Sequence, residues 1–365
     1  MSEPPVRNDT DFIADPQVLA DRDGEKLCAI VKATFELVDG PARGADGTFA
    51  IAPKGRRRKL RSADFPWGEP TKSSIMYPTD LCVYKPATDV VVVAVAHAPG
   101  GTPVPTFDAG VRVGRVQKVV RITGPRAWVA GGDALTQPRP VRSLEVRYDW
   151  AFGGSDLSGD KTIEDARNPV GMGVVGNKSA LEAKAGPQIE DPLEPIKDAH
   201  GRPKPAGLGA IGRHWEPRRR YWGTYDTKWL EGRAPLPPAD FDDRANLCAT
   251  PELIASPYLV GLEEGALTNL TPGGGTVGFV LPRVRLSIEF LVKGRERETF
   301  TPPLDTVLLD TVSVPRPKPK EGEDPATAAK LGPITPLVIE LVWRAAVRAP
   351  RKLSDAEIIV TEKRA

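Results

Sequence analysis

Only three histidines occur, His97, His200 and His214, and none stands at a spacing that chemistry needs. A zinc helix presents His with a second His or a carboxylate one turn on, as in HExxH, and neither that nor HxH is found. No GxSxG elbow places a serine on a sharp turn. The glycine string at 271–276, TPGGGT, lacks the Gly-Lys-Ser/Thr of a phosphate loop and runs into strand-like VGFVLP, so it reads as a turn. Carboxylates are plentiful, and a carbohydrate- or peptidoglycan-processing enzyme with a converging carboxylate pair is the alternative that residue types leave open. Nothing marks one pair over another. The cluster Glu190, Asp191 and Glu194 lies in a proline-rich stretch and reads as solvated. Cys28, Cys82 and Cys248 are far apart and odd in number. They make no disulfide framework and no CxxC site, which points to a reducing compartment. The expectation is therefore no catalytic residue, no metal and no cofactor.

The residues that stand out are of the kind that bind. Trp215, Tyr221, Trp222, Tyr225 and Trp229 fall close together, laced with Arg213, Arg218, Arg219 and Arg220. Trp, Tyr and Arg dominate the energetics of protein interfaces. The candidate partner-binding residues are Arg218, Arg219, Arg220, Tyr221, Trp222, Tyr225 and Trp229. Arg218 to Trp222 are expected to be the most exposed, because three consecutive arginines are hard to bury. The competing reading is that the aromatics anchor an irregular segment to a core. A second basic run, KGRRRKLR at 54–61, lacks the interleaved aromatics of a nucleic-acid surface and reads as a solvated loop. Asp80, Lys85 and Asp89 flank an apolar strand. Charges there need partners, so a local Lys–Asp pair with a structural role is expected.

These side chains must be positioned mainly by strands. Gly and Pro, 35 and 38 of 365 residues, make a fifth of the chain and are spread along it. Proline inside a helix costs about 3 kcal/mol, so long helices are not expected. Residues 26–37 alternate, with Leu27, Ala29, Val31, Ala33, Phe35 and Leu37 on one parity and Lys26, Lys32, Thr34 and Glu36 on the other: a half-buried strand. Asp39-Gly40-Pro41 then turns the chain. Residues 88–98 are a continuous apolar strand at the centre of the core. Residues 104–123 give shorter strands reversing at Val113-Gly114-Arg115. Strand pattern returns at 283–292, 299–309 and 336–347. The stretch 151–281 reads as an irregular, loop-rich insertion with short helical turns near 227–231 and 251–255. Residues 314–328 have linker composition.

The fold expected is mainly β, a β-sandwich-like or sheet-rich single unit spanning 23–348, in which N- and C-terminal strands share sheets. Residues 1–22 read as an N-terminal extension and 349–365 as an exposed tail. The N-terminus has no apolar signal core, and the longest apolar run, Val90 to Ala96, falls short of the about 20 residues of a membrane span. A net charge of +2 offers no field for nucleic acid or membrane. A cytoplasmic protein is expected.

Several blocks then occur in a recognisable order: TDLCVYKPATDVVVVAVAHAPGG (79–101), VRITGPRAW (120–128), VRYDWAFGG (146–154), NPVGMG (168–173), the long block 203–242 containing GRHWEPRRRYWGTYDTKW, and YLVGLEEGALTNLTPGG (258–274). Over roughly 23–295 the chain resembles a domain-of-unknown-function family whose members are encoded beside type VI secretion spike proteins. The loop 246–257 and the region beyond about 295 depart from the family pattern. The resemblance implies an adaptor or chaperone that binds an effector, often a PAAR-like one, and helps load it on the VgrG spike. It carries over no catalytic residue.

Overall fold

The computed structural model describes residues 4–38, 46–129, 134–157, 162–176, 184–198, 200–314 and 335–363. Strand accounts for 41% and helix for 9%, as the spread of Gly and Pro requires. The long strands, in chain order, are β1 (Ile13–Asp21), β2 (Gly24–Leu37), β3 (Thr88–Val93), β4 (Thr106–Val113), β5 (Val116–Thr123) and β6 (Glu264–Thr268). They continue with β7 (Thr276–Val280), β8 (Leu286–Val292), β9 (Leu304–Asp310), β10 (Val338–Arg348) and β11 (Ala356–Glu362). One short α-helix, α1 (Thr227–Gly232), forms where a helical turn is expected.

Three sheets share one core. The seven-stranded sheet runs Ile254–Ala255, β3, β9, β10, β2, β1, with Phe49–Ile51 also paired to β2. The N-terminal β2 and β3 thus take C-terminal partners, β10 and β9, as expected of a strand pair too small to fold alone. The six-stranded sheet contains β5, β4, β6 and β7 in that order, and the four-stranded sheet contains β11 and β8. Apolar side chains from all three meet in one cluster, including Leu27, Val31, Val90, Val111, Ile122, Ile288 and Leu341. Burying each such side chain contributes about 1.5–3 kcal/mol. Gly114 closes the β4–β5 hairpin at φ +54°, a left-handed backbone that glycine adopts without a Cβ penalty.

Four expectations need correction. The apolar run 88–98 is not one strand: β3 stops at Val93, and Val95–His97 pairs instead with Ser143–Glu145. Residues 349–365 are not an exposed tail. They carry β11, whose Ala356, Ile358 and Val360 alternate into the core and pair with β8. The extension 1–22 likewise supplies Val6–Asn8, beside β11, and all of β1. The irregular stretch 151–281 ends earlier than expected, because β6 and β7 form a hairpin across the glycine turn at 273–275. The turn expected at 39–41 and most of the linker expected at 314–328 lie outside the described residues. No described helix is long and apolar enough to cross a membrane.

Candidate functional site

The charged positions of the apolar strands come together on one face of the seven-stranded sheet. Strand β2 places Lys32, Thr34 and Glu36 there, and β10 places Glu340 and Arg344, since Val342 stands opposite Lys32 and Glu340 opposite Thr34. A β-bulge between Leu304 and Thr306 lets β9 aim Asp305, in addition to Thr306 and Asp310, at this face. Asp89 of β3 lies beside Thr306. This face is not open to water. The segment 54–85 crosses it, so β2 is buried on both faces rather than on one.

The basic run is the cover. Arg58 reaches Asp310 at 2.5 Å and Glu340 at 2.9 Å, and Arg61 reaches Glu340 at 2.7 Å. Arg56 makes a two-pronged pair with Glu36 at 2.8 and 2.7 Å. The expected solvated loop holds for Arg56, whose side chain stays exposed, and is wrong for Arg58 and Arg61, which the carboxylates beneath them draw in. Lys32, 1% exposed, donates to Glu340 at 2.6 Å and to Asp80 at 2.8 Å. Arg344 pairs with Asp305 at 2.5 and 3.0 Å and donates to the carbonyl of Asp80. Lys85 pairs with Asp89 at 2.7 Å and donates to Thr306 at 3.0 Å, while Asp89 also accepts from the backbone of Cys248 and Ala249. The local Lys85–Asp89 pair is as expected. Asp80 belongs to Lys32 instead. Glu190 is also buried, held by Arg126 at 2.8 Å, rather than solvated.

The central part of this layer is balanced in charge. Lys32, Arg58, Arg61, Lys85 and Arg344 face Asp80, Asp89, Asp305, Asp310 and Glu340. Bringing each ion out of water costs several kcal/mol, and close pairing in a low-dielectric interior offsets that. The pairing also favours the charged forms of Glu340 and Lys85. Burial works to raise the Glu340 carboxyl, but Lys32, Arg61 and Arg58 outweigh it and hold it well below the usual carboxylate range. Lys85 is raised: burial lowers it, and Asp89 more than compensates. General acid–base catalysis needs a group poised near the working pH. Glu340 and Lys85 are both held in their charged forms, as suits a layer that orders the sheet. Among the described residues no group of three or more His, Cys, Asp and Glu side chains could hold a metal.

The second arginine run is placed differently. Trp215 is buried edge-on against Tyr148, with ring centroids 5.7 Å apart, and acts as the anchor. Arg218 is 8% exposed, against expectation, because its guanidinium donates to the carbonyls of Ile211 at 2.5 Å and Ala245 at 2.8 Å. Backbone acceptors have made burial of one arginine affordable without a carboxylate. Arg219 and Arg220 are exposed. Tyr221 and Trp222 are half-buried, the first under Arg220 and Arg244 at 4.9 and 4.5 Å, the second edge-on to Phe241 at 5.6 Å. Asp226 caps α1 by accepting from Trp229 N at 2.9 Å, and the Trp229 indole donates to the Leu236 carbonyl at 2.8 Å. Tyr225, 53% exposed, stacks edge-on against Trp229 at 4.6 Å, and Leu230 is 64% exposed. The seven candidates therefore split. Arg218 is a packing element, Tyr221, Trp222 and Trp229 are half-buried supports, and Arg219, Arg220 and Tyr225 face solvent.

A small cavity of about 170 Å³ joins the two regions, with Cys82 and Lys85 on one side and Arg213, Arg218 and Trp222 on the other. The carboxylates on its wall each have a cation: Asp64 with Arg213 at 3.3 Å, Asp21 with Lys26 at 3.4 Å, and Asp243 with Arg22 at 3.9 Å. A glycosidase pair would need two carboxylates free to face a substrate.

Sequence reasoning missed the ionic layer itself. Its signal was present in the alternation: Glu340 and Arg344 sit at the same parity within PLVIELVWRAAV, where a buried strand would otherwise carry none.

No curated protein and no solved structure matches this chain. A family model does, over residues 22–314, a span that contains the ionic cover, the Lys85–Asp89 pair and the arginine–aromatic segment. The chain belongs to the family described as uncharacterized protein conserved in bacteria, DUF2169.

Proposed function

We propose that this chain is a non-catalytic adaptor that works in the cytoplasm and docks a partner protein through the surface formed by Arg219, Arg220, Tyr225 and Leu230. The observation that carries this reading is the contrast in exposure within one segment. Trp215 and Arg218 tie it to the core, and between those anchors and α1 the side chains of Arg219, Arg220 and Tyr225 project outward. A rigid scaffold presenting Arg and Tyr in this way provides contact area at low entropic cost. The family resemblance supplies the setting: a type VI secretion effector, PAAR-like in many cases, loaded with this chain's help onto the VgrG spike. Nucleic acid and membrane are not among the proposed partners.

Co-expression with type VI effector and VgrG spike proteins of the same organism, followed by size-exclusion chromatography, tests the proposal. The expected result is co-elution of the chain with one of them at equal stoichiometry. Separate elution of all three at micromolar concentration would contradict it.

A further inference from the structure

The turn 259–263, just before β6, breaks three local rules at once. Val260 and Leu262 are large and apolar, yet 69% and 57% exposed. Leu262 has φ +72°, a left-handed backbone in which a leucine Cβ is crowded. Glu263 accepts from the Val260 N–H at 2.8 Å with one carboxylate oxygen, while its other oxygen is buried with no hydrogen-bond partner among the described residues. Each feature costs stability. Nothing in the turn requires leucine at the left-handed position, since glycine and asparagine take a positive φ more readily.

The turn is nevertheless held firmly. Leu259 is buried, and its N–H donates to the Thr88 hydroxyl at 3.0 Å. Leu262 N donates to the Leu281 carbonyl at 2.9 Å, and Leu281 N donates back to the Glu263 carbonyl at 2.9 Å. Gly261 lies so close to Arg283 that a Cβ would sit 2.6 Å from the Arg283 Cα. Val260 and Leu262 are thus fixed in water by a rigid support. Unrepaid costs gathered at one rigid, exposed point mark a contact site.

Charge around the tip indicates what kind of surface fits it. Arg283 lies against Gly261, and Arg115 follows Gly114, where a Cβ would sit 3.0 Å from Glu263 Cγ. Both arginines are exposed, and neither has a carboxylate partner among the described residues. Of the two carboxylates at the turn, Glu264 faces Arg112 at 3.9 Å and Glu263 is folded back onto the Val260 N–H. The exposed charge left unmatched is cationic.

We propose that Val260 and Leu262 form a second docking point, which inserts into an apolar pocket edged by carboxylates on a partner protein. The proposal rests on the adaptor reading for the existence of a partner, but it uses no residue of the Arg219–Leu230 surface.

Calorimetric titration of the co-eluting effector or spike protein into Leu262→Asn tests it, with the melting temperature recorded alongside. Asparagine suits the left-handed backbone, so this variant should melt at the same temperature or higher while binding at least about 5-fold more weakly. Arg283→Gln should weaken binding about 2–5-fold, a loss that shrinks as salt is raised. The proposal is overturned if Leu262→Asn binds like the wild type, if it melts at a lower temperature because the leucine packs on the fold, or if Arg283→Gln changes nothing. Size-exclusion chromatography of the chain alone covers the other occupant. A concentration-dependent dimer that Leu262→Asn abolishes would give the tip to a second copy and overturn the partner assignment. If Arg219→Ala with Tyr225→Ala loses the partner and Leu262→Asn keeps it, the adaptor reading stands and the second docking point falls. If no partner co-elutes with the wild type, both fall.

Discussion

Two arginine runs of similar composition meet opposite fates in this molecule. Residues 56–61 lie over a sheet face that carries Glu340 and Asp310, and all four of their arginines end on carboxylates, Arg57 on Asp11. Residues 218–220 lie over backbone carbonyls and aromatic rings, and only Arg218 is drawn in. What decides burial is the surface that the run meets rather than the run itself. A carboxylate in a buried strand is a costly charge that needs a cation, so the facing loop is recruited. Where no such charge exists, arginine stays in water.

The largest effect should come from removing the acid that holds three cations. Glu340→Gln leaves Lys32, Arg58 and Arg61 sharing fewer negative charges in a buried site. Urea unfolding should show a loss of about 3–5 kcal/mol. A loss under about 1 kcal/mol would mean that water reaches the layer and that the two runs are alike. Lys85→Met breaks a second buried pair, but Asp89 keeps its two backbone donors, and the expected loss is smaller, roughly 3 kcal/mol.

Acid should separate the regions in the same direction. Glu340 has a folded-state pKa below its unfolded value, so its contribution is fully present above the unfolded pKa and is lost as pH falls through the folded one. The unfolded value is about 4.3. Thermal melts should therefore hold steady down to about pH 5 and decline below about pH 4. Glu340→Gln should decline less steeply, whereas an Arg219→Ala variant should follow the wild type. The smallest effect concerns the thiols under the ionic layer. Burial pushes Cys28 and Cys248 up to about 12, so alkylation by iodoacetamide at pH 8 should be slow in the native state and fast in urea.

Most of the fold was legible because strand periodicity is local. β2, β4, β5, β8, β9 and β10 follow from alternation and turn residues, and even the sharing of sheets follows from the small number of C-terminal strands. The split at Ala94 was not legible, because a run of Val and Ala looks the same whether it keeps one partner or changes it. β11 was hidden because AEIIVTE is short, carries glutamates near both ends and follows directly on the charged turn at 350–355. The ionic cover was illegible from its own residues: KGRRRKLR carries no mark of what lies beneath, and the mark was some 280 residues away, in Glu340. In the candidate site, the aromatic cluster was found but its division was not. Whether Arg218 is buried depends on the carbonyls of Ile211 and Ala245, which no side-chain pattern announces.

The central claim is that one run builds the protein and the other binds its partner. Calorimetric titration of the co-eluting partner into two variants tests it directly, at a temperature where both are folded. Arg219→Ala with Tyr225→Ala removes only solvent-facing groups and should weaken binding at least 10-fold while the melting temperature stays within about 4 °C. Glu340→Gln should do the reverse, lowering the melting temperature sharply with little change in affinity. If the double variant binds like the wild type, or if Glu340→Gln loses the partner while remaining folded, the division of labour between the two runs is wrong.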